Sequence, residues 1–102
     1  MEKIDPKRAA SLLGDLPDWA ADEAAIRRQF VFAGFADAVA FVVRLGFTAE
    51  AADHHPDLLI NYKRVTVTYS THSAGGLTEK DFDGARAANA IAESMGAWRK
   101  ID

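Results

Sequence analysis

Between Ile26 and His72 the spacing of the apolar residues changes twice, and this limits the fold more than any other property of the chain. Ile26, Phe30 and Phe32 alternate with Arg27, Gln29 and Val31, as in a half-buried strand, although Arg28 interrupts the apolar side. From Phe35 the repeat lengthens. Phe35, Ala38, Val39, Val42, Leu45, Gly46 and Ala49 follow i, i+3, i+4, i+7 spacing, which predicts a helix over about 35–52. Gly46 within it costs up to ~1 kcal/mol relative to alanine and suggests close packing on a neighbour. Leu58 to Tyr62 reads as a third strand. Period two then returns: Val65, Val67 and Tyr69 alternate with Thr66, Thr68, Ser70 and His72, predicting a fourth strand over 65–72 with His72 on its hydroxyl-bearing face.

The flanking segments supply helix boundaries. Asp5-Pro6 reads as an N-cap and first helical position, with Gly14 as the stop, so a short helix presents Ala9, Leu12 and Leu13. Trp19 to Ala21 pairs with the strand at 26–32 across the Asp22-Glu23 turn. After the loop Ser73-Ala74-Gly75-Gly76, Thr78 is a natural N-cap with Asp81 at the third helical position. Leu77 and Phe82 match a hydrophobic staple, and the last helix covers about 79–95, burying Phe82, Ala85, Ala88, Ala92 and Met95. The order α-β-β-α-β-β-α argues an α+β domain spanning 1–102: a four-stranded antiparallel sheet with three helices packed on one face. Phe30, Phe32, Phe35, Phe41 and Phe47 read as core rather than as a ligand-stacking set.

Composition excludes several functions. The net charge is -3 and no basic run exceeds two residues, so direct nucleic-acid binding is disfavoured. With no cysteine there is no disulfide framework, thiol nucleophile or cysteine-based zinc site, which suits a reducing cytoplasm. No stretch reaches the ~20 apolar residues that cross a bilayer, and Met1 to Pro6 lacks an apolar signal core. The expectation is a cytoplasmic protein without a membrane segment.

All three histidines lie in Asp53-His54-His55-Pro56 and Ser70-Thr71-His72. Imidazole has an unperturbed pKa of ~6.5, the side-chain value nearest physiological pH. The 53–57 stretch must be a turn, because neighbours on a regular strand face opposite ways, and Pro56 biases His55 toward extended backbone. If strands three and four form an antiparallel hairpin, the entry to one and the end of the other lie at the same sheet edge. His54, His55 and His72 are then within reach of one ligand, as a proton-transfer site requires. Plainer readings exist for each: a solvated polar turn for the pair, and a surface strand end for His72. A zinc site of three histidines and Asp53 lacks an HExxH helix or other known ligand spacing. Asp81 completes a capping box and could also face a pocket. Glu50, one turn before the pair, reads by default as solvated helix surface. Asp53 serves a turn or orients a ring. Ser70 has no nucleophile-elbow context.

The block Glu50-x-x-Asp53-His54-His55-Pro56, followed by Ser70-Thr71-His72 and Leu77-Thr78-x-x-Asp81, strongly resembles the pterin-4a-carbinolamine dehydratases across essentially the whole chain. The resemblance implies an α+β fold, association as homodimer or homotetramer, and dehydration of 4a-hydroxytetrahydropterin to quinonoid dihydropterin in tetrahydrobiopterin recycling. It links the chain functionally to an aromatic amino-acid hydroxylase. By position, it places catalytic histidines at His54, His55 and His72, supporting acids at Glu50, Asp53 and Asp81, and a hydroxyl pair at Ser70 and Thr71. Pterin is then the substrate, and no metal or redox cofactor is required. Some members also serve as dimerisation cofactors of a homeodomain transcription factor, so a non-enzymatic binding module is the alternative. Leu58 stands where the family often has an aromatic residue, and Lys80 where it often has arginine. Both departures bear on substrate packing and affinity more than on proton chemistry.

Overall fold

A computed structural model of the chain describes residues 2–96. Helix α1 is Pro6–Gly14, and Asp5 caps it by accepting a hydrogen bond from the Arg8 N–H at 2.8 Å. Strand β1 (Ala20–Ala21) pairs with β2 (Ile26–Val31) across a turn in which the Asp22 carboxylate accepts from the N–H groups of Ala24 and Ala25. Those two bonds hold the Asp22 carboxyl below the usual carboxylate range. Helix α2 is Phe35–Ala52, β3 is Asp57–Asn61, β4 is Arg64–Tyr69 and α3 is Glu79–Ser94. The sheet is antiparallel throughout, in the order β1-β2-β4-β3.

Register explains which face is covered. Phe30, Val65 and Ile60 form one cross-strand row, and Arg28, Val67 and Leu58 the next, on the side facing the helices. The opposite face carries Gln29, Thr66 and Leu59, then Arg27, Thr68 and Asp57, and among the described residues no helix covers it. Arg28 therefore lies on the inward side, as the interrupted alternation implied. It is accommodated by a hydrogen bond to Asn89 Oδ1 at 2.8 Å, by Asp18 at 3.6 Å and by the Phe30 ring 4.3 Å below its guanidinium. The same Asn89 oxygen accepts from the Trp19 indole N–H at 2.9 Å, tying the residue before β1 to β2 and α3.

Phe30, Phe32 and Phe41 form the aromatic centre, with ring centroids 4.9 Å apart for Phe30 and Phe41 and 5.0 Å for Phe32 and Phe41. Truncating a phenylalanine so placed costs about 3–5 kcal/mol. Phe35 and Phe47 correct the core expectation: both are exposed. The inward stripe of α2 is Ala38, Phe41, Leu45 and Ala49, flanked by part-buried Val42, while Phe35, Val43 and Phe47 extend round the helix into exposed positions. Gly46 meets no close neighbour either, since a Cβ built there has nothing within 4 Å.

All four strands have boundaries that differ from the sequence reading: β1 lacks Trp19 and β2 ends at Val31 instead of Phe32. Strand β3 covers 57–61 rather than 58–62, because Tyr62 takes a left-handed φ of 54° in the tight turn to β4. Strand β4 ends at Tyr69, not at residue 72. Thr71 makes an isolated bridge to Gly76, and His72–Ala74 form a 3-10 turn closed by Gly75 at φ 75°. His72 thus belongs to a turn and not to the hydroxyl-bearing strand face. Ser, Thr and His prolong the alternation in the sequence while the backbone has already left the sheet.

Candidate active site

Helix α2 ends at Asp53, which adopts a left-handed φ of 53°. The reversal is fastened by the Asp53 N–H donating to Glu50 O and the His54 N–H donating to Ala49 O, each at 3.1 Å. Asp tolerates this conformation better than most residues. The chain that leaves the cap sends consecutive histidines into different surroundings.

His54 turns inward. Its ring is 13% exposed, and Nε2 lies 2.6 Å from Oδ1 of Asp81, whose side chain is fully buried. The other Asp81 oxygen accepts from the Thr71 hydroxyl at 2.8 Å and from the Thr78 N–H at 2.9 Å. The second of these is half of the capping box that starts α3, so Asp81 caps the helix and faces the histidine at once. The directions of the bonds follow. Thr71 spends its proton on Asp81, so in the 3.0 Å contact between hydroxyls Thr78 donates to Thr71. Thr78 Oγ1 in turn accepts from the Lys80 N–H. A carboxylate can only accept, so an ionised Asp81 takes its bond to His54 from the Nε2–H tautomer of that ring.

His55 turns outward. Its Nε2 lies 2.7 Å from Oε1 of Glu50, with side chains 56% and 80% exposed. His72 is exposed on its 3-10 turn, with Nε2 3.4 Å from the Ser70 hydroxyl. Asp57 pairs with Thr68, so the loop before β3 and the segment after β4 leave the sheet at the same end. The predicted residues therefore form three linked groups there: His54, Asp81 and Thr71; His55 and Glu50; His72 and Ser70. Asp53 shapes the turn as the left-handed cap, and its side chain is exposed. Among the described residues no cluster of three or more His, Asp or Glu side chains is arranged to hold a metal.

A cleft of about 190 Å³ opens beside His54 between α2 and α3, floored by Tyr69 and bordered by Ala49, Lys80 and Gly84. It is smaller than the ~300–1,000 Å³ of sites that enclose a drug-sized ligand. The Thr78 N–H bond to the carboxylate behind His54 is the one that the capping-box spacing implies, but one residue escaped the sequence reading. Tyr69 counted only as a buried strand residue, yet its ring stacks on His54 with centroids 5.7 Å apart. Burial, and secondarily the charge of Asp81, push its phenol up to about 12.

A half-buried imidazole held by a buried carboxylate thus lies at the same sheet end as two exposed imidazoles, side chains whose ordinary pKa suits proton exchange near neutral pH. Residues 2–91 match the family model described as pterin 4 alpha carbinolamine dehydratase, and the chain belongs to that family. A protein of Chloroflexus aurantiacus, provisionally named a pterin-4-alpha-carbinolamine dehydratase, is 47% identical over 96 residues, covering 94% of this chain and 100% of its own. The crystal structure of a transcriptional coactivator/pterin dehydratase from Brucella melitensis superposes with a TM-score of 0.85 at 38% identity, covering 89% of this chain and 99% of that one. A pterin dehydratase-like protein described as a RuBisCO assembly factor in the alpha-carboxysome shares the fold, at a TM-score of 0.61 and 21% identity over 72% of this chain and 86% of that one.

Proposed function

We propose that this protein dehydrates 4a-hydroxytetrahydropterin to quinonoid dihydropterin by histidine general acid/base catalysis. The carrying observation is the 2.6 Å pairing of His54 with buried Asp81, set in a family of this activity. In the elimination the C4a–O bond breaks, the N5 lone pair forms C4a=N5, the hydroxyl leaves as water and N5 gives up its proton. Each proton needs a positioned partner of near-neutral pKa, which typically contributes ~10²–10⁴-fold. His54 is assigned to the hydroxyl, through Nδ1. His55 chiefly binds the pterin, with Glu50 behind it, and His72 is the second acid or base. Asp53 and Ser70 help hold the ring system, while Asp81 holds His54 and Thr71, buried with its hydroxyl bonded to Asp81, supports that carboxylate instead of reaching the pterin.

The setting proposed with this activity is cytoplasmic, in tetrahydrobiopterin recycling beside an aromatic amino-acid hydroxylase. The chain acts there as a homodimer or homotetramer. Exposed Phe35, Val43 and Phe47 along α2 support association, since they leave apolar surface on a helix otherwise packed on the sheet. The same surface favours the second reading, a partner-binding module of the kind named in the Brucella protein.

The test is stopped-flow dehydration of a synthetic 4a-hydroxytetrahydropterin. Wild type is expected to exceed the spontaneous rate, and His54→Ala to lose the most among His54→Ala, His55→Ala and His72→Ala. A wild-type rate equal to the spontaneous one sinks the activity. Three variants equal to wild type sink the site.

A further inference from the structure

Tyr69 has no part in the roles assigned so far, yet its ring lies nearly parallel to that of His54, 16° between planes. The ring is 1% exposed and packs beneath α3. Residue 84 makes that possible. A Cβ built at Gly84 would stand 2.4 Å from Tyr69 Cζ and 2.5 and 2.9 Å from its two Cε atoms. Gly84 is inside α3 and has no positive φ, so no turn demands a glycine there. Apart from proline, glycine is the least favourable residue in a helix interior. What its absent side chain provides is a slot for the phenol. Trp19 borders the ring as well, its centroid 6.5 Å away.

His54 is therefore held along two independent directions. Asp81 grips it in the ring plane through Nε2, and Tyr69 covers one face. An imidazole fixed by a single hydrogen bond can still swivel about that bond. A ring stacked on its face, itself locked under a helix, removes the swivel and sets where Nδ1 points. A phenol pushed up to about 12 is neutral near pH 7 and puts no competing charge beside the imidazole.

We propose that Tyr69, seated in the slot left by Gly84, is a positioning residue that fixes the ring plane of His54 and so the direction in which its Nδ1 exchanges a proton. The inference rests on the assignment of His54 as the acid for its kinetic consequences, but not for its spectroscopic ones.

The experiment compares Tyr69→Phe, Tyr69→Leu, Gly84→Ala and the double variant Tyr69→Leu/Gly84→Ala with wild type. It records kcat, KM and the pH profile of dehydration, thermal unfolding, and the NMR signal of the His54 ring N–H bonded to Asp81. Tyr69→Phe keeps the ring and is expected to stay within about twofold of wild type with the N–H signal sharp. Tyr69→Leu and Gly84→Ala are expected to lower kcat about tenfold with little change in KM, alter the pH profile and broaden the signal, because small misplacements of a reacting group are costly. In the double variant the smaller side chain makes room for the alanine, so stability is expected to recover while the rate and the signal do not. If rate and signal recover together with stability, Tyr69 is merely structural and the proposal is overturned. A folded Tyr69→Leu protein with wild-type kcat, pH profile and N–H signal overturns it too. Where a single variant fails to fold, Tyr69→Phe and the double variant decide. Should wild type not accelerate dehydration, the proposed function fails, while the N–H signal still decides whether Tyr69 fixes the ring.

Discussion

His54–Asp81 and His55–Glu50 are the same chemical pair at nearly the same distance, 2.6 and 2.7 Å, on histidines adjacent in sequence. Their surroundings differ. The first pair is 13% and 0% exposed, and the second 56% and 80%. Water and salt compete freely for the outer pair, and exposed ion pairs of that kind contribute about 0–1 kcal/mol. In the inner pair the carboxylate has been desolvated and then fully supplied with protein donors: a hydroxyl, a backbone N–H and an imidazole. Distance alone does not tell a buried, networked pair from a surface contact. What distinguishes them is how many other groups depend on the carboxylate.

The largest effect expected from breaking this contrast is on rate. Asp81→Asn can still accept from Thr71 and Thr78 but offers an amide N–H to His54 Nε2, which reverses the tautomer and leaves Nδ1 protonated in the neutral ring. By analogy with carboxylates that orient catalytic histidines, kcat should fall about 10²–10⁴-fold with the fold retained. Glu50→Gln should mainly raise KM by a few-fold. Equal effects on kcat in stopped-flow assays would erase the distinction. Next comes stability. Asp81→Ala strands two buried donors, the Thr71 hydroxyl and the Thr78 N–H, and frees the part-buried His54 ring, and should cost about 2–4 kcal/mol in urea unfolding. Glu50→Ala should cost less than about 0.5 kcal/mol, and that small cost should fade in high salt.

The smallest effect sharpens the contrast at alkaline pH. The Tyr69 phenol is raised from 10.0 to about 12 in the folded protein, by burial and by the charge of Asp81. The unfolded chain therefore releases that proton first, and stability present below pH 10 is lost as pH climbs toward 12. At pH ~11 the loss is about 1 kcal/mol for this one group. Tyr69→Phe should lack it, which urea midpoints for the two proteins at pH ~9 and ~11 would show as a difference of differences.

Much of this arrangement was legible before any coordinates. The change from period two to 3.6 and back located the helices and strands, and the Thr78 to Asp81 spacing announced the capping box. The prediction that the histidine turn and the end of β4 share a sheet end followed from hairpin geometry alone. What escaped has specific causes. Ser70, Thr71 and His72 continue the alternation of β4, so nothing in the pattern marked the departure at Tyr69, although Gly75 and Gly76 signalled a loop soon after. Phe35 and Phe47 share a helix with the true core stripe, and period cannot say how wide a face the sheet covers. The stacking of Tyr69 on His54 joins residues from different elements, which no local rule reads. Its trace in the sequence was a glycine within a helix, at position 84, with no turn to justify it.

The sharing of Asp81 between a helix cap and a histidine also has a consequence for folding order. The first turn of α3 and the end of α2 are closed by one carboxylate, and the residues it joins are 27 positions apart. Neither local helix formation nor sheet pairing alone completes that junction. It closes only when both segments are docked, and the first partial opening that lifts either helix end undoes it. Exchange of the Thr78 amide proton thus measures how often the His54–Asp81 junction comes apart while the sheet beneath it stays intact.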